Sequence, residues 1–175
     1  MAICIMATGG TFDKEYNELD GTLSFKETHI KDMLSLGRSK ADIIVRTIMM
    51  KDSLEMQDFD RELILSHCNN AKEKHIIITH GTDRMSETAH FLGKRNAGKD
   101  QTIVLTGAMI PYAFGSSDGL FNLGCAIGFV QTLPFGVYVA MNGRYFHWNN
   151  VRKNITLGAF EELTQTAQEN NEESF

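Results

Sequence analysis

The sequence has few cysteines and no excess of positive charge. It contains three cysteines, Cys4, Cys68 and Cys125, which are too few and too widely spaced for a disulfide framework. Each lies in an apolar or amphipathic stretch, so we expect buried free thiols in a reducing cytoplasm. The formal net charge of -5 gives no electrostatic reason to expect nucleic acid or an anionic membrane as a partner.

Long apolar segments are also missing. No apolar run in the 175 residues is long enough to span a bilayer. The opening residues, Met1 to Ala7, have no basic residue before the apolar run, and that run is too short for the core of a secretory signal. We therefore expect a cytoplasmic protein without a membrane partner.

The residues that are present have the profile of one globular domain. Hydrophobic residues make up 42% and charged residues 22% of the chain, and its length suits a single core. Apolar, β-branched runs without alternation are typical of strands buried on both faces of a parallel sheet. Five such runs occur, at Ile3–Met6, Ile43–Val45, Ile76–Ile78, Ile103–Leu105 and Val137–Val139.

Stretches with helical periodicity lie between the later runs. They are Asp58–Ala71, Asp83–Arg95 and Ser116–Thr132, and the last opens with Ser-Ser-Asp, which predicts an N-cap. Strands that alternate with helices predict a three-layer α/β/α domain of Rossmann-like type with a mostly parallel sheet.

Hydroxyl groups, glycines and two carboxylates follow the predicted strands. Ligands of parallel sheets bind outside the carboxyl ends of the strands, so these segments are the candidate site. They are Thr8–Thr11, Lys51–Ser53, Thr79–Asp83, Thr106–Met109 and Met141–Gly143. None has the spacing of a phosphate loop or a dinucleotide fingerprint. Taken singly, each is better explained as a tight turn or a helix cap.

Five ordered blocks together point to a family. The segments Ala7–Phe12 and His80–Ala89 resemble the two signature motifs of bacterial-type L-asparaginases. The family's substrate-carboxylate loop resembles Asp52–Met56, and its next block resembles Thr106–Pro111 with Ser117–Leu123. Its catalytic-lysine block resembles Val151–Asn154. The resemblance extends from residue 1 to about residue 160. It implies the N-terminal catalytic domain of that family.

The resemblance also implies catalytic roles. Thr11 corresponds to the usual nucleophile, and Thr82 to a second threonine hydrogen-bonded through Lys153 to Asp83. A threonine hydroxyl needs a base or a relay, and a lysine whose pKa is lowered by its neighbours can serve as one. Backbone N–H groups around Gly10-Thr11 are candidates to receive the oxyanion. Which threonine attacks first is left open.

Further residues are implied in holding the substrate. Tyr16 lies where the family has a loop tyrosine beside the nucleophile, although a solvated loop residue is an equal alternative. Asp83 corresponds to the residue that attracts the α-ammonium, and the Ala108 carbonyl to the group that approaches the side-chain amide. The implied substrate-binding residues are Gly10, Ser53, Leu54, Gly81, Thr82, Asp83 and Ala108.

The sequence departs from the family in two respects. Leu54 stands where many members have a polar residue, and the chain stops soon after the lysine block. We expect a catalytic domain over residues 1–160, a polar acidic tail over 161–175, and no C-terminal domain. In the family that domain buries part of the surface of the catalytic domain, so we expect association into a homo-oligomer to cover this surface. The aromatic run Tyr145–Trp148 is a candidate for the contact between copies, with local core and a lid as equal alternatives.

The resemblance implies hydrolysis of L-asparagine to L-aspartate and ammonia. One methylene is worth only about 1–3 kcal/mol of discrimination, so glutamine or another amide remains an alternative substrate. A binding module of the same fold that has lost turnover is a second alternative. A subunit of an amidotransferase is disfavoured, since no basic patch is present. No metal site and no cofactor are expected, because His67, Cys68, His75 and His80 lack ligand spacing.

Overall fold

A six-stranded sheet forms the centre of the protein. The computed structural model describes residues 1–163, so the predicted tail from residue 164 onward lies outside the described residues. The strand order is β4-β1-β5-β6-β7-β8, and every neighbouring pair is parallel except β7 and β8. The strands are β1 (Ile3–Gly9), β4 (Ile43–Lys51), β5 (His75–Thr79), β6 (Thr102–Thr106), β7 (Gly136–Met141) and β8 (Arg144–His147).

Four helices cover the two faces of this sheet. They are α1 (Ile30–Leu36), α2 (Asp58–Asn70), α3 (Met85–Lys94) and α4 (Gly119–Thr132). Successive side chains of a strand point to opposite faces. Accordingly, Cys4 of β1 packs in the core formed with α2 and α3, whereas Ile5 packs in the core formed with α1 and α4. The predicted three-layer α/β/α fold with a mostly parallel sheet is therefore confirmed.

Two small hairpins extend from this frame. Strands β2 (Lys14–Tyr16) and β3 (Leu23–Phe25) form one, and β9 (Arg152–Asn154) and β10 (Ala159–Glu161) form the other. The second hairpin carries Lys153 and belongs to the folded part of the chain. The Leu163 N–H donates to Asn150 Oδ1 at 2.9 Å, so ordered contacts continue to the end of the described residues.

The five predicted strands are all present, but several other elements were missed. Helix α1, strand β8 and the strands of both hairpins are only three to seven residues long, which is too short for a periodic apolar pattern to be recognised. In the predicted Ser-Ser-Asp cap, Asp118 occupies the N-cap position of the last helix but its side chain makes no cap hydrogen bond, and Ser117 Oγ accepts the Gly119 N–H at 3.0 Å. The Asp118 carboxylate instead accepts the N–H groups of Met109 and Ile110, each at 3.0 Å. The helix begins at Gly119, three residues after the predicted start at Ser116.

Two of the three thiols and part of the aromatic run are packed inside, whereas Tyr145 is 50% exposed. Cys4 and Cys68 are buried free thiols, whereas Cys125 is partly exposed. Of the aromatic run, Phe146 is 2% exposed and belongs to the core. Trp148 packs against that core, with its indole beside Gly93 of α3. Among residues 1–163, no helix is both long and apolar enough to cross a membrane.

Candidate functional site

The loops that follow β1 and β5 touch through two glycines. A Cβ atom on Gly10 would lie 2.3 Å from the Gly81 nitrogen, so only glycine allows this approach. Gly10 also has a φ of 77°, and its N–H donates to Lys51 O at 2.9 Å. The loops after β4, β1 and β5 are thereby joined at one edge of the sheet. Thr11 and Thr82 directly follow the two glycines.

Gly10→Ala is expected to destabilise the fold by at least about 3 kcal/mol, because a positive φ and a backbone clash act together. The matched control is Gly128→Ala in α4, where an added Cβ meets nothing within 4 Å. That change should stabilise the protein by up to about 1 kcal/mol, since alanine favours a helix. Chemical unfolding of both variants measures the difference. Equal stability of Gly10→Ala and the parent protein would contradict the close approach.

Lys153 connects the β9–β10 hairpin to the loop after β5. Its Nζ donates to Thr82 Oγ1 at 2.9 Å and to Asp83 Oδ1 at 2.6 Å. The Lys153 side chain is 12% exposed and that of Asp83 45% exposed. Because the Asp83 carboxylate is nearly half exposed, water screens the ion pair, and the pair adds little to stability. Its effect is to fix the Lys153 amine beside the Thr82 hydroxyl.

Ser53 lies beneath the loop that carries Thr82. It begins a short 3₁₀ helix, Ser53–Glu55, and is 1% exposed. A Cβ on Gly81 would lie 2.5 Å from Ser53 Oγ, which also accepts the Arg84 N–H at 3.4 Å. Leu54, in contrast, is 55% exposed and points to solvent at this edge. The sequence therefore predicted this segment as part of the site, and the structure shows that the Ser53 hydroxyl is buried while Leu54 is exposed.

Ala108 is held by the start of α4. The residue is fully buried and lies in the segment that follows β6. On one side, Asn122 Nδ2 donates to Gly107 O at 3.0 Å, and on the other the Asp118 carboxylate accepts the Met109 N–H at 3.0 Å. These two side chains fix the backbone around Ala108. A backbone carbonyl in this segment is therefore presented in a defined orientation.

Thr11 and Tyr16 occupy the segment between β1 and β3. Thr11 begins a 3₁₀ helix, Thr11–Asp13, and its side chain has no hydrogen-bond partner among residues 1–163. Asp13 is buried, and desolvation raises the pKa of its carboxyl; its Oδ1 accepts the His29 N–H at 2.9 Å. Tyr16 is 56% exposed on the hairpin, with its hydroxyl near Gly21. The structure thus places Thr11 at the sheet edge and Tyr16 farther out, on the hairpin.

Several backbone N–H groups at this edge have no acceptor in the described part of the chain. Those of Thr11 and Thr82 are among them, and they lie in the two loops that Gly10 and Gly81 bring into contact. The Gly10 N–H is already used by Lys51 O. Of the Gly10-Thr11 pair, the N–H group that remains able to receive an oxyanion is that of Thr11.

Sequence reasoning missed the residues that brace the site. Lys14 forms an ion pair with Asp52, and this contact ties the segment after Thr11 to the Ser53 loop. Asn122 supports the Ala108 segment, and His80 is buried beneath Gly81. His80 and Asn122 stand in the blocks His80–Ala89 and Ser117–Leu123, but these blocks assigned no role to either residue. Neither has a partner that can be identified without knowing which elements are adjacent.

Comparisons with known proteins agree on one family. The family model "Asparaginase, N-terminal" matches residues 2–170. The probable periplasmic L-asparaginase of Haemophilus influenzae is 31% identical over 170 residues, which cover 88% of this chain and 46% of that protein. The chain spans about half the length of the curated relatives it matches.

Solved structures show the same similarity. The thermostable L-asparaginase of Thermococcus kodakarensis superposes with a TM-score of 0.80 at 30% identity, over 93% of this chain and 51% of that one. The probable cytoplasmic L-asparaginase of Campylobacter jejuni gives a TM-score of 0.76 at 30% identity, over 93% of this chain and 53% of that one. The fold is thus shared with solved asparaginases.

Proposed function

This chain belongs to the family of asparaginase N-terminal domains, and from that premise we propose that it hydrolyses L-asparagine to L-aspartate and ammonia. The observation that carries the proposal is the contact of Lys153 Nζ with both Thr82 Oγ1 and Asp83 Oδ1, at 2.9 and 2.6 Å. An amine between a hydroxyl and a carboxylate can move a proton from the hydroxyl and is oriented by the carboxylate. Two hydroxyls and an amine in adjacent loops have no joint task in folding.

The proposed reaction is covalent catalysis by a threonine. We assign the attack on the amide carbon to Thr11 Oγ1, as the family resemblance implies. The hydroxyl proton passes to the leaving nitrogen, ammonia departs, and an ester to Thr11 remains. Water then cleaves the ester and releases aspartate. Thr82, Lys153 and Asp83 act as the proton relay, and the Thr11 N–H is a donor for the tetrahedral oxyanion.

The same edge offers groups for the rest of the substrate. Asp83 uses Oδ1 for Lys153, so its second oxygen is available for the α-ammonium. Ser53 and neighbouring N–H groups would receive the α-carboxylate, and the Ala108 carbonyl would accept the amide N–H. Tyr16 would contribute only if the β2–β3 hairpin closes over Thr11.

We also propose that the protein is a homo-oligomer. Ile155 and Leu157, in the turn of the hairpin that carries Lys153, are 84% and 71% exposed. Exposed apolar side chains beside a site favour association. Light scattering should report more than one copy per particle, and Leu157→Ser should weaken the association. A monomer at micromolar concentration would contradict this proposal. The cytoplasmic location stays a prediction.

Steady-state ammonia release tests the proposed reaction. We expect release from L-asparagine, and the ratio of kcat/KM for asparagine and glutamine decides between the two amides. Lys153→Met protein, purified in parallel, controls for contaminating host asparaginase. Ammonia release no greater than in this control, for both amides, would contradict the proposal. Calorimetric binding of asparagine without turnover would instead support a binding module.

A further inference from the structure

His80 has a buried side chain that the proposed reaction does not use. It directly follows β5, and its ring is completely buried. Nδ1 lies 2.8 Å from Gly81 O and Nε2 lies 2.9 Å from Thr88 Oγ1 of α3. Both ring nitrogens therefore have a partner, one in the candidate site loop and one in the helix that follows it.

The chemistry of the partners determines the tautomer. A carbonyl oxygen can only accept, so Nδ1 must carry the hydrogen that bonds Gly81 O. Burial lowers the pKa of His80 to about 4, so the ring is neutral at neutral pH and has one N–H. Nε2 is consequently an acceptor, and the Thr88 hydroxyl donates to it.

The chain of hydrogen bonds begins at a buried arginine. Arg61 Nε, on α2, donates to Thr88 Oγ1 at 3.3 Å. The guanidinium is fixed by Asp58 at 3.1 Å and Glu87 at 3.0 Å, and its side chain is 6% exposed. The hydrogen bonds therefore all run in one direction: Arg61 donates to Thr88, Thr88 donates to His80, and His80 donates to the Gly81 carbonyl.

This chain fixes the peptide that joins Gly81 and Thr82. The peptide is trans, so its N–H points opposite to its C=O. With the carbonyl directed at His80, the Thr82 N–H points away from His80, and it has no acceptor among residues 1–163. Glycine at position 81 lets the peptide rotate easily, so an anchor on the carbonyl is needed. A rotated peptide would present a carbonyl oxygen where the N–H now lies.

We propose that His80 is a positioning residue, whose Nδ1–H holds the Gly81–Thr82 peptide so that Thr82 presents its N–H to the substrate and its hydroxyl to Lys153. The inference rests on the proposed function, because it assigns a second backbone donor and the relay threonine of that same site. His80 itself acts through the peptide and touches no reacting atom.

Two substitutions separate positioning from packing. In His80→Asn the side-chain amide nitrogen can occupy the place of Nδ1, whereas in His80→Gln it reaches the place of Nε2. Both remove the ring from the core and should lower the Tm similarly. We expect His80→Gln to lower kcat on the order of 100-fold with a smaller change in KM, and His80→Asn to recover most of that loss. If kcat of the folded protein falls equally in both variants, or in neither, His80 only fills space and the inference is wrong.

The ¹⁵N spectrum of the imidazole tests the same geometry without turnover. At neutral pH the wild-type protein should show the tautomer with hydrogen on Nδ1, and the opposite tautomer would overturn the inference. A wild-type protein that hydrolyses no amide contradicts the proposed function, but the spectrum still decides the orientation of His80. The spectrum also serves if His80→Gln does not fold.

Discussion

Lys153→Met is expected to lower kcat for asparagine by at least about 1,000-fold while the protein stays folded. Methionine keeps most of the length and the apolar stem of lysine but removes the amine that contacts Thr82 and Asp83. Thr11→Val and Thr82→Val should have effects of similar size, since each removes a hydroxyl and keeps the shape. Groups that act as one unit are not additive, so the triple variant should be about as inactive as the worst single one.

Two control variants separate chemistry from stability. Lys74→Met removes an exposed lysine at the opposite end of β5 and should leave kcat unchanged. Thr102→Val removes a buried hydroxyl that donates to Leu133 O at 3.1 Å, so it should lower the Tm without changing kcat of the folded protein. Steady-state kinetics and thermal unfolding of each variant give the comparison. Near-normal kcat/KM in Thr82→Val or Lys153→Met would exclude the proton relay.

Asp83→Asn is expected to raise KM and lower kcat together, each by about 10-fold or more. Asparagine keeps the size of the side chain but loses the charge that holds Lys153 Nζ at 2.6 Å and that would attract the substrate ammonium. The kcat effect comes from the lysine, and the KM effect comes from the ammonium. One substitution therefore affects both the proton relay and substrate binding, whereas the lysine and threonine variants affect the reaction step.

A substrate without the α-ammonium separates the two effects. Succinamic acid has the same amide and carboxylate as asparagine but no amino group. For this substrate Asp83→Asn should still lower kcat, but KM should no longer rise relative to the parent protein. Asp100→Asn, an exposed carboxylate before β6 at the other edge of the sheet, is the matched control. If the KM increase persists with succinamic acid, Asp83 does not bind the ammonium.

Much of the layered fold could be predicted because its signal is local. A central parallel strand is apolar on both faces, so its own residues identify it as buried. Examples are the runs Ile76–Ile78 and Ile103–Leu105. The edge elements lack that signal. Strand β9 has two charged residues and a polar one, Arg152, Lys153 and Asn154, and it forms because β10 pairs with it. Helix α1 has only seven residues, which is too short for a helical period to stand out, although four of them, Ile30, Met33, Leu34 and Leu36, are apolar.

The candidate site divides in the same way. The sequence by itself determined the hydroxyls and the carboxylate, which follow apolar runs, and the ordered blocks identified them and the lysine through their resemblance to a family. The resemblance implied the contact between Lys153 and Thr82, and the structure gives it as a hydrogen bond over 71 positions of sequence. Only the tertiary structure decided that Gly10 touches Gly81, and that His80 donates to Gly81 while Thr88 donates to His80. These are distances between segments that are far apart in the chain. They are set by the register of β1 against β5 and by the packing of α3 on the sheet, which no local pattern encodes.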